Sequence, residues 1–224
     1  MKALFVKNIG IEGPGTLAPL FERKGVAVET IDAFRGEMVD SVDDYEFITI
    51  LGGPMGVYEA KKYSFLNDEF RLVEEALRKN KRIVGICLGA QIIAHVLGAK
   101  VYKGEMGKEI GWYELYPQNE FEFLYRHKMD VFEWHGDTFE LPEGATKLAS
   151  TPLYPNQAFR LNRAVGLQYH IEVTKDDIKR WIEAYRDEVV SEGLTPEQIL
   201  GDDDKKWEML KVYSSVFVEF LFKI

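Results

Sequence analysis

Two hydrophobic periods alternate along this chain. Residues 3–6, 26–31 and 47–51 are short apolar runs rich in β-branched side chains, and each ends at polar residues, glycine or proline, which predicts strands. Between the first two, Leu17, Leu20 and Phe21 fall on one side of a helix over residues 16–24, with Gly25 as its stop. Phe70, Val73 and Leu77 mark a second helix that Asn80 can end. A fourth apolar run, residues 83–86, leads straight into helical spacing at Leu88, Ile92, Val96 and Ala99. This strand and helix order predicts a parallel sheet covered on both faces. Ligands in such sheets bind beyond the carboxyl ends of the strands, where Gly52-Gly53-Pro54 and Cys87 fall.

The pattern changes after residue 101. Shorter strands are expected at residues 112–116, 131–134, 147–150, 156–161 and 165–170. A helix then follows Thr174 and Asp177, a capping pair, with Ile178, Trp181, Ile182 and Tyr185 on its inner face. Thr195-Pro196-Glu197-Gln198 is a second cap, with proline at the first helical position. Asp202-Asp203-Asp204 opens the last helix, whose inner face is Leu210, Tyr213, Phe217, Phe220 and Ile224. No repeat, low-complexity stretch or linker interrupts the chain, so residues 1–224 read as one domain. The expected class is α/β, a mostly parallel central sheet flanked by helices, with a smaller set of antiparallel strands.

Composition narrows the functional classes. With 224 residues, 46% of them hydrophobic, the chain can bury one sizeable core. A net charge of −9 and the lack of any dense Lys/Arg cluster argue against a nucleic-acid partner. Met1 to Lys7 is too briefly apolar for a signal peptide. Residues 83–99 carry no Asp, Glu, Lys or Arg, yet their glycines, Gln91 and His95 suit a buried strand-turn-helix better than a membrane span. A single cysteine excludes an intrachain disulfide and fits a cytoplasmic setting.

That cysteine sits in Gly85-x-Cys87-x-Gly89, where the apolar strand becomes a helix. This is the glycine spacing of a nucleophile elbow, with sulfur in place of the hydroxyl. The turn is too tight for side chains at the second neighbours. It places the thiol at a helix N-terminus, which favours a thiolate, and aims the backbone N–H of Leu88 at any oxyanion.

A thiol nucleophile needs a base. Of the four histidines, His95 falls inside the elbow helix and is expected to pack, while His127 lies between Arg126 and Lys128 and is expected at the surface. His170 closes an apolar run and has Glu172 two residues on, on the same side of an extended segment. Glu172 can hold the ring while the other nitrogen addresses Cys87. His135, in the turn Trp134-His135-Gly136-Asp137, is the second candidate, with Asp137 as its acid.

Gly85-Ile86-Cys87-Leu88-Gly89-Ala90-Gln91, the Gly52-Gly53-Pro54 loop and Gly166-Leu167-Gln168-Tyr169-His170-Ile171-Glu172, in this order, resemble the class I glutamine amidotransferase domain. The stretches 105–112, 134–139 and 156–159 are most similar to stand-alone GMP-synthase-like members. The resemblance implies that Cys87 attacks the glutamine side-chain amide, His170 acts as base and Glu172 orients it. It implies an oxyanion hole from the N–H groups of Gly53 and Leu88, a substrate contact from Gln91, and a γ-glutamyl thioester that water hydrolyses. It implies no metal or organic cofactor, and leaves two settings open: a synthase partner that receives the ammonia, or a chain that works alone. Ile171 stands where the family usually has proline, and Ala90 where it often has histidine.

Three other readings compete. A stand-alone hydrolase would act on other γ-glutamyl amides or peptides, with the 56–58 loop and the 105–112 stretch as walls of the leaving-group pocket. Gly13-Pro14-Gly15-Thr16-Leu17-Ala18, with Asp32 ending the second strand, fits a dinucleotide fingerprint. Its first strand, however, ends near Lys7, too early for Gly13 to make the required turn. A non-catalytic binding module on the same fold is the third.

Overall fold

The computed structural model describes residues 1–224, the side chain of Phe123 excepted. The chain runs β1 (Lys2–Lys7), α1 (Leu17–Arg23), β2 (Ala27–Asp32), β3 (Phe47–Ile50), α2 (Phe65–Arg78), β4 (Arg82–Ile86) and α3 (Leu88–Val96). It continues with β5 (Val101–Lys103), β6 (Glu109–Pro117), α4 (Glu120–Tyr125), β7 (Met129–His135), β8 (Asp137–Phe139), β9 (Thr146–Ser150), β10 (Ala158–Leu161) and β11 (Ala164–Leu167). Four helices close it: α5 (Lys175–Ala184), α6 (Arg186–Ser191), α7 (Pro196–Leu200) and α8 (Asp204–Leu221).

The central sheet has nine strands in the order β2-β1-β3-β4-β11-β10-β9-β6-β7. Pairings from β2 through β11 are parallel, and those from β11 to β7 are antiparallel. The antiparallel strands therefore extend the parallel sheet; only β5 and β8 form a separate ladder. The antiparallel half curls until β7 meets the chain just beyond β11, through the bridge Phe132–His170.

Period-two burial explains the layers. Along β1, Ala3 and Phe5 join one core while Leu4 and Val6 join the other, and along β4 Val84 and Ile86 oppose Ile83. Leu17, Phe21, Ile178, Trp181, Leu210 and Phe217 bring α1, α5 and α8 to the first face. Leu66, Leu72, Val73, Ile92 and Ile93 bring α2 and α3 to the second. Both expected caps are present: Thr174 Oγ1 accepts from the Asp177 N–H at 3.2 Å, and Thr195 Oγ1 from the Gln198 N–H at 3.3 Å.

The structure corrects several local expectations. The strand expected at residues 165–170 ends at Leu167, and His170 lies in the bend beyond it. Strands β5 and β8 and helices α4 and α6 had no distinct hydrophobic period and were not anticipated. His95 does not pack inside: it is exposed on α3, its ring 5.0 Å from that of Phe70. No helix among the described residues is long and apolar enough to cross a membrane.

Candidate active site

Strands β1, β3, β4 and β11 run parallel, so their carboxyl ends share one edge of the sheet. The segments leaving that edge carry Glu12, Gly53, Cys87 and His170, all of which line one cavity of about 500 Å³.

Cys87 stands between β4 and α3 at φ 51° and ψ −109°, a conformation disfavoured for a residue with a Cβ and the mark of an elbow. Its flanking glycines are required by contact. A Cβ on Gly85 would overlap the backbone of Gly89, and one on Gly89 would overlap the carbonyl of Ile50. The thiol donates to the Trp134 carbonyl at 3.6 Å, and His170 stands close enough for its charge to act on the sulfur.

His170 Nδ1 lies 2.7 Å from Glu172 Oε1, and both side chains are almost wholly buried. That leaves Nε2 for the thiol. The His170 N–H donates to the Phe132 carbonyl at 2.8 Å, so β7 braces the base as well as the sulfur. Burial opposes the imidazolium, yet the Glu172 charge and hydrogen bonds to Cys87 and Glu172 hold the His170 pKa well above its usual value. Burial pushes the Cys87 thiol up, against the pull of His170. Desolvation thus works against the helix-terminus preference for a thiolate at Cys87.

Gly53, Gln91, Tyr58 and Asp137 line the cavity as well. Gln91 Nε2 donates to Gln168 Oε1 at 3.1 Å and lies 3.4 Å from the Asp137 carbonyl. Leu88 is the first residue of α3, and its side chain packs against Gly53, where a Cβ would come within 3.2 Å of it. Of the two expected walls, the 56–58 loop lines the cavity through Gly56 and Tyr58, but the 105–112 stretch contributes only Lys108. Trp112 turns away to pack on Trp207 and donate to the Leu200 carbonyl at 3.0 Å.

The second candidate base is differently placed than expected. His135 ends β7 rather than sitting in a turn, and it is buried. Its acid is Glu109, 3.0 Å from Nε2, because the β6–β7 register sets Glu109 opposite His135. Asp137 offers only its backbone carbonyl, 2.9 Å from Nδ1. Glu109, Glu133 and His135 form the one group among the described residues with the spacing to hold a metal ion. Burial and the Glu109 charge raise the Glu133 pKa well above its usual value.

Glu12 was not anticipated. It sits in the loop after β1, buried, with the Tyr185 hydroxyl donating to its Oε1 at 2.8 Å. Burial pushes its pKa up to about 7, against the charge of His170 and the Tyr185 hydrogen bond. Asn8 Nδ2 donates to the Leu51 carbonyl at 2.9 Å, Trp181 Nε1 to the Ile11 carbonyl at 3.3 Å, and the Thr16 N–H to the Glu172 carbonyl at 2.7 Å. Gly15 has φ 47°, and a Cβ there would overlap the Glu172 carbonyl. The Gly13-Pro14-Gly15 turn therefore seats this loop against Glu172, which accounts for its glycine without a dinucleotide. The sequence signal was a glycine turn soon after a parallel strand; nothing in it pointed to Glu12.

Residues 20–183 match the sequence model of the family described as glutamine amidotransferase class-I. The chain belongs to this family. Among solved structures, a glutamine amidotransferase from Thermotoga maritima is 40% identical, with a TM-score of 0.91 over 98% of this chain and 97% of that one. A glutamine amidotransferase from Methylobacillus flagellatus, 22% identical, shares the fold with a TM-score of 0.90 over 99% of this chain and 94% of that one. The glutamine amidotransferase-like protein YfeJ of Salmonella typhimurium is 28% identical over 84% of this chain and 83% of its own length. The glutamine-hydrolysing GMP synthase of Porphyromonas gingivalis is 33% identical over 56% of this chain, a match that spans only 24% of the synthase.

Proposed function

We propose that this class-I glutamine amidotransferase hydrolyses a γ-glutamyl amide, with L-glutamine as the leading substrate, through Cys87, His170 and Glu172. The observation that carries the reading is the placement of His170, with Glu172 2.7 Å from Nδ1 and the elbow thiol as its other partner. In this reading His170 takes the thiol proton as Cys87 Sγ adds to the amide carbon. The Gly53 and Leu88 N–H groups receive the oxyanion. The C–N bond then breaks, its electron pair stays on nitrogen, and the ammonia departs with the proton from His170. Water adds to the γ-glutamyl thioester, passes a proton to His170, and glutamate leaves as that proton returns to sulfur. Glu172 fixes the imidazole tautomer, and Gln91 holds the substrate beside the sulfur. No step needs a metal or an organic cofactor.

The likeness to part of GMP synthases supports ammonia delivery to a synthase partner. A glutamine-like diazoketone tests the nucleophile: one label on Cys87, together with glutamate and ammonia release, is expected. Labelling elsewhere, or full turnover by Cys87→Ala, would overturn the assignment.

A further inference from the structure

The base that protonates the leaving nitrogen must stand on the leaving-group side of the sulfur. The walls of the cavity can be sorted by that rule. Gln91, Tyr58 and Asp137 form one part of the wall, linked by the Gln91 contact to the Asp137 carbonyl and by the Asp137 charge acting on the Tyr58 hydroxyl. On the base side, the Trp181 ring meets His170 edge-on at 4.9 Å, Trp134 lies 6.0 Å from Trp181, and Tyr185 lies 5.8 Å from Trp134. Glu12 completes this end through Tyr185.

Ammonia needs none of this. A cavity of about 500 Å³ is on the scale that takes drug-sized ligands rather than a lone small amino acid. Its base side offers three aromatic side chains, and aromatic faces attract cations. The two further charged side chains there are matched: Glu188 accepts from Trp134 Nε1 at 3.0 Å and pairs with Lys108 at 2.8 Å, and Lys108 also pairs with Glu192 at 3.0 Å. Glu12, by contrast, has a hydroxyl as its hydrogen-bond partner and no ion pair among the described residues. Glu12 pairs with neither Lys103 nor Lys108, the two lysines that line the cavity, so its carboxylate is suited to a cation supplied by the ligand.

We propose that the region walled by Trp134, Trp181 and Tyr185, with Glu12 at its base, is a leaving-group subsite for an amine that carries a second positive charge. The inference rests on the γ-glutamyl-amide reading above. The scissile bond and the proton path are the same; only the group on the amide nitrogen changes, so the products are glutamate and a protonated diamine or similar cationic amine. Leaving groups that carry a carboxylate, as γ-glutamyl peptides do, are disfavoured beside Glu12, because Lys108, the lysine paired with Glu188 on this side, is already held by two glutamates.

The test uses the whole chain at pH 8, above the value of about 7 to which burial pushes Glu12. Three synthetic γ-glutamyl amides of matched length are compared, ending in an ammonium, a methyl and a carboxylate. The ammonium compound should show kcat/KM about tenfold above the methyl compound, as expected for a partly desolvated cation on an aromatic face, and the carboxylate should be poorest. Glu12→Gln should bring the ammonium-to-methyl ratio toward unity. Equal kcat/KM for all three, a preference for the carboxylate, or a ratio unchanged in Glu12→Gln would overturn the subsite while leaving the thioester chemistry intact. If neither glutamine nor any of the three forms an acyl-enzyme on folded protein, the catalytic reading fails and the subsite with it. The wild-type comparison does not depend on the variant's folding.

Discussion

Glu12→Gln also makes a stability prediction that is independent of substrate. The Glu12 carboxyl is shifted from 4.5 to about 7, chiefly by burial. The folded protein therefore keeps a proton that the unfolded chain releases between those values. Stability from this group is complete below pH 4.5 and is lost as pH rises to about 7; above that, the charged form is held at a cost. At 1.36 kcal/mol per pH unit, the shift corresponds to about 3 kcal/mol. Glutamine fills the same space, keeps an oxygen for the Tyr185 hydroxyl and cannot ionise. The variant should lie within about 1 kcal/mol of wild type at pH 5 and exceed it by up to about 3 kcal/mol at pH 8.5. For a domain of this size that is roughly 6–12 °C in midpoint. Urea and thermal unfolding at both pH values measure it. The same stability difference at pH 5 and pH 8.5 would refute the argument, because only a titrating group makes the difference depend on pH.

The remaining predictions separate chemistry from architecture. His170→Ala should lose about 10³-fold or more in turnover, whereas His135→Ala should lose about 3–5 kcal/mol of stability by stranding buried Glu109 and Glu133; the opposite pattern in kinetics and urea melts would transfer the base role to His135. Glu172→Gln should stay folded by circular dichroism and lose on the order of 10³–10⁴-fold in rate, since an amide facing Nδ1 can stabilise the wrong tautomer; near-normal turnover would show that another acid orients the ring. Gly89→Ala should destabilise by about 1–3 kcal/mol or more through overlap with the Ile50 carbonyl, while Gly13→Ala, which meets nothing within 4 Å, should be close to neutral. Equal melting temperatures for those two variants would contradict the elbow packing.

The candidate site was legible where its signals are short-range. Gly85 and Gly89 announce the elbow because steric exclusion acts within a few residues of Cys87. Glu172 is tied to His170 by a separation of only two residues, which puts its Oε1 2.7 Å from Nδ1. The caps at Thr174 and Thr195 are local hydrogen bonds and formed as expected. Trp181 and Tyr185 were legible as an inner helix face, but their period does not distinguish a core from a cavity wall.

The chain by itself determined the parallel half of the sheet, the elbow that carries Cys87 and the closeness of Glu172 to His170, because hydrophobic period, glycine sterics and short sequence separation are written in neighbouring residues. Only the tertiary structure decided which distant charges meet. His135 pairs with Glu109 because of an antiparallel register that no local pattern specified. His95 is exposed on α3 although its ring lies 5.0 Å from that of Phe70 on α2, an arrangement of two helices that no local pattern specified. Glu12 joins the catalytic edge because β1 runs parallel to the neighbouring β3 and the loop beyond it folds back onto Glu172. Its shifted pKa, like that of Cys87, comes from desolvation, which is a property of everything packed around a group and not of the residues on either side of it.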